Sequence, residues 1–187
     1  MIPIRNKKKT LRVTVEEMRN FAFAYIEKYA PSKQQLKTYL LKKYLKFSVP
    51  TVKKQDITNL IDIVLSDLEK NKFINDKFYS DSRAKSMIQR GNSINKIRNY
   101  LIVKGINNEF IKETLDKIND ENSDQDFFSA IKLCKKKRIG PARPEDNRPL
   151  FYKKDISLLA RNGFNFETSK KVMEIEKEDY LKIISLL

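Results

Sequence analysis

Lysine and arginine dominate the side chains of this sequence that could do chemistry. Residues 132–161 hold ten bases against Glu145, Asp146 and Asp155, a local balance of +7. Residues 1–12 hold Arg5, Lys7, Lys8, Lys9 and Arg12 with no acid, a balance of +5. These two stretches carry +12 of a net +15. Clustered bases attract polyanions, because each phosphate they neutralise releases a condensed counterion. A Lys-, Asn- and Ile-rich chain can also reflect an AT-rich genome, yet the clustering favours a binding face.

Reagents for other chemistry are missing. The 187 residues contain no histidine, the commonest general base and metal ligand. One cysteine, Cys134, makes neither a zinc cluster nor an internal disulfide. It fits a reducing cytoplasm and the role of a small buried hydrophobe. Four glycines are too few for a loop that cradles phosphates. The carboxylate pairs Glu16/Glu17 and Asp120/Glu121 fall in a helix cap and a polar break. The sequence therefore predicts no catalytic, cofactor-binding or metal-binding residue, and a protein that binds. The start "MIPIRNKKKTLRV" lacks the apolar centre of a secretory signal. No apolar run approaches the roughly 18–20 residues that span a bilayer. A cytoplasmic monomer with no membrane partner is expected.

The elements that must position the bases read as helices throughout. Thr14 to Glu17 and Ser32 to Gln35 are capping boxes, each opening an apolar-periodic run. The first helix carries Met18, Phe21, Ala22, Tyr25 and Ile26 and ends before Pro31; the second carries Leu36, Tyr39, Leu40 and Lys43. A basic spacer, "YLKFSVPTVKKQ", follows. Asp56 is the expected cap of a helix with Ile57, Leu60, Ile61, Val64, Leu65 and Leu68 at helical spacing. Asn75 or Asp76 starts the next, through Phe78, Tyr79, Ser82 and Ile88. Ser93 caps a helix facing its core with Ile94, Ile97, Leu101 and Ile102, and Asn108 caps a shorter one. A helix over about 125–138 runs into the Pro-rich loop "KKKRIGPARPEDNRP"; further helices are expected from Tyr152 to Asn162, over 164–173 and over 177–187.

One corner recurs. "LIVKGIN" at 101–107 and "LARNGFN" at 159–165 each end a helix with a glycine and begin another at once. Glycine enters the left-handed region cheaply, so Gly91, Gly105 and Gly163 read as structural corners. In the first unit Tyr44 stands at the corner position. The resulting fold is all-α, an elongated array of three tandem three-helix repeats. Its boundaries are a basic tail at 1–13, repeats at 14–70, 74–119 and 124–176, a basic loop at 135–151 within the third, and a last helix at 177–187.

Three stretches carry a resemblance to a known family. "INDKFYSDSRAKSMIQRGNSINKIRNYLIVKGI" (74–106), "DISLLARNGFNFETSKKVM" (155–173) and "AFAYIEKYAPSKQQLKTYLLKKY" (22–44) resemble, in order, the second, third and first repeats of the RecX family, bacterial regulators of the recombinase RecA. The likeness spans about 15–175. The sequence departs from the family at Gly91-Asn-Ser93, where Gly-x-Gly is usual, and at Tyr79, where Ala is usual; its basic loop is longer. The resemblance implies a partner, the RecA–DNA filament, whose recombination, DNA-repair and SOS activities such proteins restrain without catalysis or cofactor. Direct contact with single- or double-stranded DNA is compatible with it.

Candidate contact residues follow from charge and position. Lys85, Arg90, Lys96, Arg98 and Lys104 lie on or beside the middle helix of the second unit. Lys135, Lys136, Lys137, Arg138 and Arg161 supply the third. The resemblance marks Lys96 and Lys104 most firmly. Two other readings compete: a helical module that binds nucleic acid without RecA, as helix-turn-helix units do, and a scaffold for another protein.

Overall fold

A computed structural model of the chain describes residues 11–47, 52–122 and 124–187. Among them are ten α-helices and two one-turn 3₁₀ segments, and no strand. The helices are α1 (Val15–Tyr29), α2 (Lys33–Phe47), α3 (Lys54–Lys70), α4 (Asp76–Gln89), α5 (Ile94–Val103), α6 (Asn108–Glu121), α7 (Gln125–Lys137), α8 (Arg148–Arg161), α9 (Phe166–Met173) and α10 (Lys177–Leu186). Arg5, Lys7, Lys8 and Lys9 of the basic tail, and Pro50 of the spacer, lie outside the described residues. The chain divides into two compact units, one ending at Tyr79 and one spanning Ser80–Leu187.

In the first unit α1, α2 and α3 pack on one another. Met18 and Ala22 of α1 meet Leu36, Leu40 and Tyr44 of α2 and Ile57, Ile61, Val64, Leu65 and Leu68 of α3, all buried. The α2 stripe is a run of i, i+4 positions, so Tyr44 continues the core. That overturns the expected corner at Tyr44: with no glycine to leave the helix, α2 runs on to Phe47. Part of the expected spacer is therefore helix. Ser32 and Gln35 form a complete capping box, with Gln35 N donating to Ser32 Oγ (3.2 Å) and Ser32 N to Gln35 Oε1 (3.1 Å). At Thr14 the hydroxyl accepts from Glu17 N at 3.3 Å.

In the second unit α7, α8, α9 and α10 enclose Ala130, Ile131, Cys134, Leu159, Phe164, Val172, Met173 and Tyr180. Between α4 and α6 runs a short hydroxyl network. Thr114 Oγ1 donates to Asp81 Oδ1 at 2.6 Å, so the 2.9 Å bond between the Thr114 and Ser80 hydroxyls takes its proton from Ser80.

Several expected starts shift by a few residues, each for a local reason. Lys53, not Asp56, is the extended residue before α3, and Asp56 sits in the first turn, where its charge suits the helix dipole. Asn107, with φ −60° and ψ 140°, caps α6 and accepts from Glu109 N at 3.0 Å; Asn108 is already helical. Helix α8 begins at Arg148 instead of Tyr152, because Pro149 fits a first turn whose N–H groups lack helical partners anyway. Helix α4 turns Tyr79, Ser80 and Ala84 inward and leaves Phe78 71% exposed. Ile102, expected on the buried face of α5, is also exposed, and Ile97 and Leu101 carry that face.

Two half-buried carboxylates repeat one arrangement. Asp76, in the first turn of α4, accepts from Lys33 N at the start of α2 (2.8 Å). Asp126, in the first turn of α7, accepts from Ile94 N at the start of α5 (2.8 Å). Each satisfies an orphan donor at a helix start beside a serine. Burial raises both carboxyls above their ordinary range, opposed by these same backbone bonds.

Candidate functional site

The bases of residues 132–161 are presented by one helix end and one pinned loop. Lys135, Lys136 and Lys137 form the last turn of α7, where positive charge complements the dipole. Arg138 ends the helix in the left-handed region with φ 54° and donates its N–H to Cys134 O. All four side chains are exposed. The chain then bends around Asp155 of α8, a carboxylate only 1% exposed. Gly140 N donates to Asp155 Oδ2 (2.9 Å), and Arg143 grips both oxygens through Nε (2.6 Å) and Nη2 (2.9 Å). Burial alone would raise the Asp155 carboxyl, but Arg143 and the Gly140 amide outweigh it and hold it below the ordinary range. The loop read from its prolines is thus a fixed turn. Arg143 also stands 4.3 Å from the Phe151 ring, and Arg148 donates to Met173 O and Ile175 O. These two arginines are committed to the fold.

The predicted residues do not form one patch. Gly91 has φ 76°, and a Cβ there would lie 2.9 Å from Ser129 O and 3.0 Å from Lys132 Cβ. This close approach seats the end of α4 on α7. Gln89, Lys132 and Lys135 consequently line a shallow cleft of about 290 Å³, and Arg90 stands between Gln89 and the Gly91 contact. The Arg90 backbone therefore lies beside the α7 stretch that carries Lys132 and Lys135.

A second gathering forms where the α8–α9 corner meets α5. Ser93 Oγ accepts from Lys96 N (3.1 Å) and donates to Asn162 O (2.7 Å). Asn95 Nδ2 reaches Gly163 O (3.2 Å), and Lys96 Nζ reaches Asn162 Oδ1 (2.9 Å). Lys96 therefore lies at the end of α8 that carries Arg161, whose Nε donates to Ser157 O. Arg98, two residues on from Lys96, lies about 200° around the helix and belongs to another face. Lys104 caps the far end of α5, 5.2 Å from the Tyr100 ring. Lys85 lines a different groove, between α4 and α6. Gly105 has φ 73° and Gly163 φ 90°.

Sequence reasoning missed Lys132, Asp155 and Arg143. A lone aspartate in a basic stretch gives no sign of burial; the Gly-Pro pair beside it was the available signal. The nucleophile Cys134 is fully buried, and burial, with the Asp155 charge beside it, pushes its thiol up to about 12. It stays protonated and unreactive. Among the described residues no group of three acids, cysteines or histidines is placed to hold a metal ion. No helix among them is long and apolar enough to cross a membrane. The arrangement gathers positive charge at two fixed corners.

No family model matches the chain. Regulatory protein RecX of Myxococcus xanthus strain DK1622 is 30% identical over 178 residues, covering 91% of each chain. The chain belongs to the RecX family. A RecX of Clostridium perfringens strain SM101 is 23% identical over 165 residues, 88% of this chain and 71% of that one. The crystal structure of a regulatory protein RecX superposes with a TM-score of 0.58 at 20% identity, covering 86% of this chain and 74% of the other, and shares the fold. RecX proteins are named as regulators, and this chain is a regulatory protein rather than an enzyme.

Proposed function

We propose that this protein binds the RecA–DNA filament and lowers RecA activity in recombination, DNA repair and the SOS response. Membership of the RecX family supports the partner. The observation that carries the reading is the pair of basic corners: Arg90 with Lys132 and Lys135–Arg138, and Lys96 with Arg161. Both are fixed by hydrogen bonds, so they meet phosphates without first ordering a loop. Arg98 and Lys104 add charge on other faces, while Lys85 stands apart in the α4–α6 groove. We read α1–α3, α4–α6 and α7–α9 as three tandem repeats, the acid of one repeat capping the middle helix of the one before. Several weak contacts on one such chain add through effective concentration.

The test is RecA's single-strand-dependent ATP hydrolysis, with this protein titrated below one copy per RecA. A steep fall is expected. Reversing Lys135, Lys136 and Lys137 together should weaken inhibition about tenfold or more while helicity stays unchanged, since each lost phosphate contact removes counterion release. A fall only as the protein saturates the DNA would favour the nucleic-acid module acting without RecA. No fall at any ratio overturns the reading.

A further inference from the structure

The groove between α4 and α6 differs in kind from the basic corners. It encloses about 460 Å³, within the range of ordinary binding sites. Ala84, Ile88 and Ile118 give it an apolar floor. Asp81, already bonded to Thr114 and Lys117, closes one end, and Glu121 lines the other. The groove exists because short side chains line this seam. Ser80, Ala84 and Thr114 stand here, whereas leucine, isoleucine and methionine fill the first unit's bundle.

Its charge singles it out. Acids Asp81 and Glu121 balance bases Lys85 and Lys117, a net of zero on a chain of +15. A phosphate backbone gains nothing from a neutral wall containing Glu121, and it has no apolar group for the floor. A protein segment has both parts: one large apolar side chain to cover Ala84, and flanking residues of either sign to meet Lys85 and Glu121. The groove is lined from Asp81 to Gln89 of α4 and by α6, whereas the basic corner is built on the last turn of α7 beyond the end of α4. One chain can then hold protein and nucleic acid at once.

We propose that the α4–α6 groove seats a neutral, mixed-charge segment of the protein partner, anchored by one large aliphatic or aromatic side chain. This rests on the filament reading above and divides its labour: the basic corners take phosphate, the groove takes protein.

The test is the double exchange Lys85→Glu with Glu121→Lys, which preserves net charge and alters two exposed positions. Circular dichroism confirms the fold. Binding to RecA without DNA should fall about tenfold, roughly the effect of turning two favourable charge contacts repulsive. Retention on a single-stranded oligonucleotide at fixed salt should stay within twofold. The single variant Glu121→Lys should weaken RecA binding likewise and leave oligonucleotide affinity unchanged. If wild type binds RecA and the double variant binds equally well, the groove inference alone fails. If Glu121→Lys strengthens oligonucleotide binding, the groove is a nucleic-acid seat and the inference fails. If wild type does not bind RecA at all, the filament reading fails and takes the inference with it.

Discussion

Leu36, Leu40 and Tyr44 from α2 and Ile57, Ile61 and Leu65 from α3 fill the first unit's bundle, each buried to within 1% of full enclosure. On α4 and α6 the buried groups include Ser80, Ala84 and Thr114 beside Tyr79, Ile111, Leu115 and Ile118, and the Ser80 and Thr114 hydroxyls bond each other and Asp81. The same helix order is thus stabilised in two ways. Apolar volume holds the first set. The second adds to its buried Ile97, Leu101, Ile111 and Leu115 a set of directional bonds and contacts with α7 and the α8–α9 corner. A large apolar core tolerates little loss of volume, but it is closed; the thinner seam leaves a groove available for binding.

Variants of decreasing effect should sharpen this contrast. Leu40→Ala should cost about 3 kcal/mol, from lost transfer energy and a cavity that bundle packing prevents from collapsing. Gly163→Ala should cost about 2 kcal/mol, because φ is +90° and the new Cβ would sit 2.5 Å from Ser93 Oγ, disturbing a bond that the cap of α5 needs. Thr114→Val should cost only about 1 kcal/mol, since it removes one hydroxyl bond from Ser80 and one from Asp81 and keeps the side chain's volume. Urea melts of the three variants measure this order. If Thr114→Val matches Leu40→Ala, the two seams are energetically alike and the contrast is wrong.

The smallest effect concerns pH. Asp76 and Asp126 have folded values above 3.8, so the folded chain binds their protons first. Their contribution to stability therefore grows as pH falls from neutrality through those raised values, and levels off below 3.8. Asp155 has the opposite sign. Its folded value is below 3.8, so its stabilisation is present above 3.8 and is lost as pH falls from there through the lowered value. The double variant Asp76→Asn with Asp126→Asn should lose the upper slope and keep the lower one. Melts between pH 3 and 7 would show it, and an unchanged upper slope would remove both carboxylates from the account.

Helix type and the glycine corners were legible because they rest on local rules. Ser93 and Ser32 announce caps, and Gly163 announces a turn, whatever surrounds them. The Tyr44 expectation failed because a tyrosine at a repeat-aligned position carries no turn chemistry, while its spacing from Leu36 and Leu40 says core. The distribution of bases was half legible. Their clustering in sequence was plain, but Arg143 and Arg148 spend their donors on Asp155 and on the end of α9. Those partners are 12 and 25 residues away, beyond any periodicity. Likewise Lys96 and Arg98 look adjacent in sequence and face apart on the helix.

Ser93 has a consequence for how the chain is made. Its hydroxyl bonds a carbonyl 69 residues downstream, and the neighbouring Ile94 amide waits 32 residues for Asp126. At synthesis rates of about 5–20 residues per second, the amino end of α5 stays incompletely bonded for roughly 3–14 seconds after Ser93 is added. A nascent chain halted before Asn162 carries this helix start without its last partner, so α5, though central in sequence, is among the last elements to be secured.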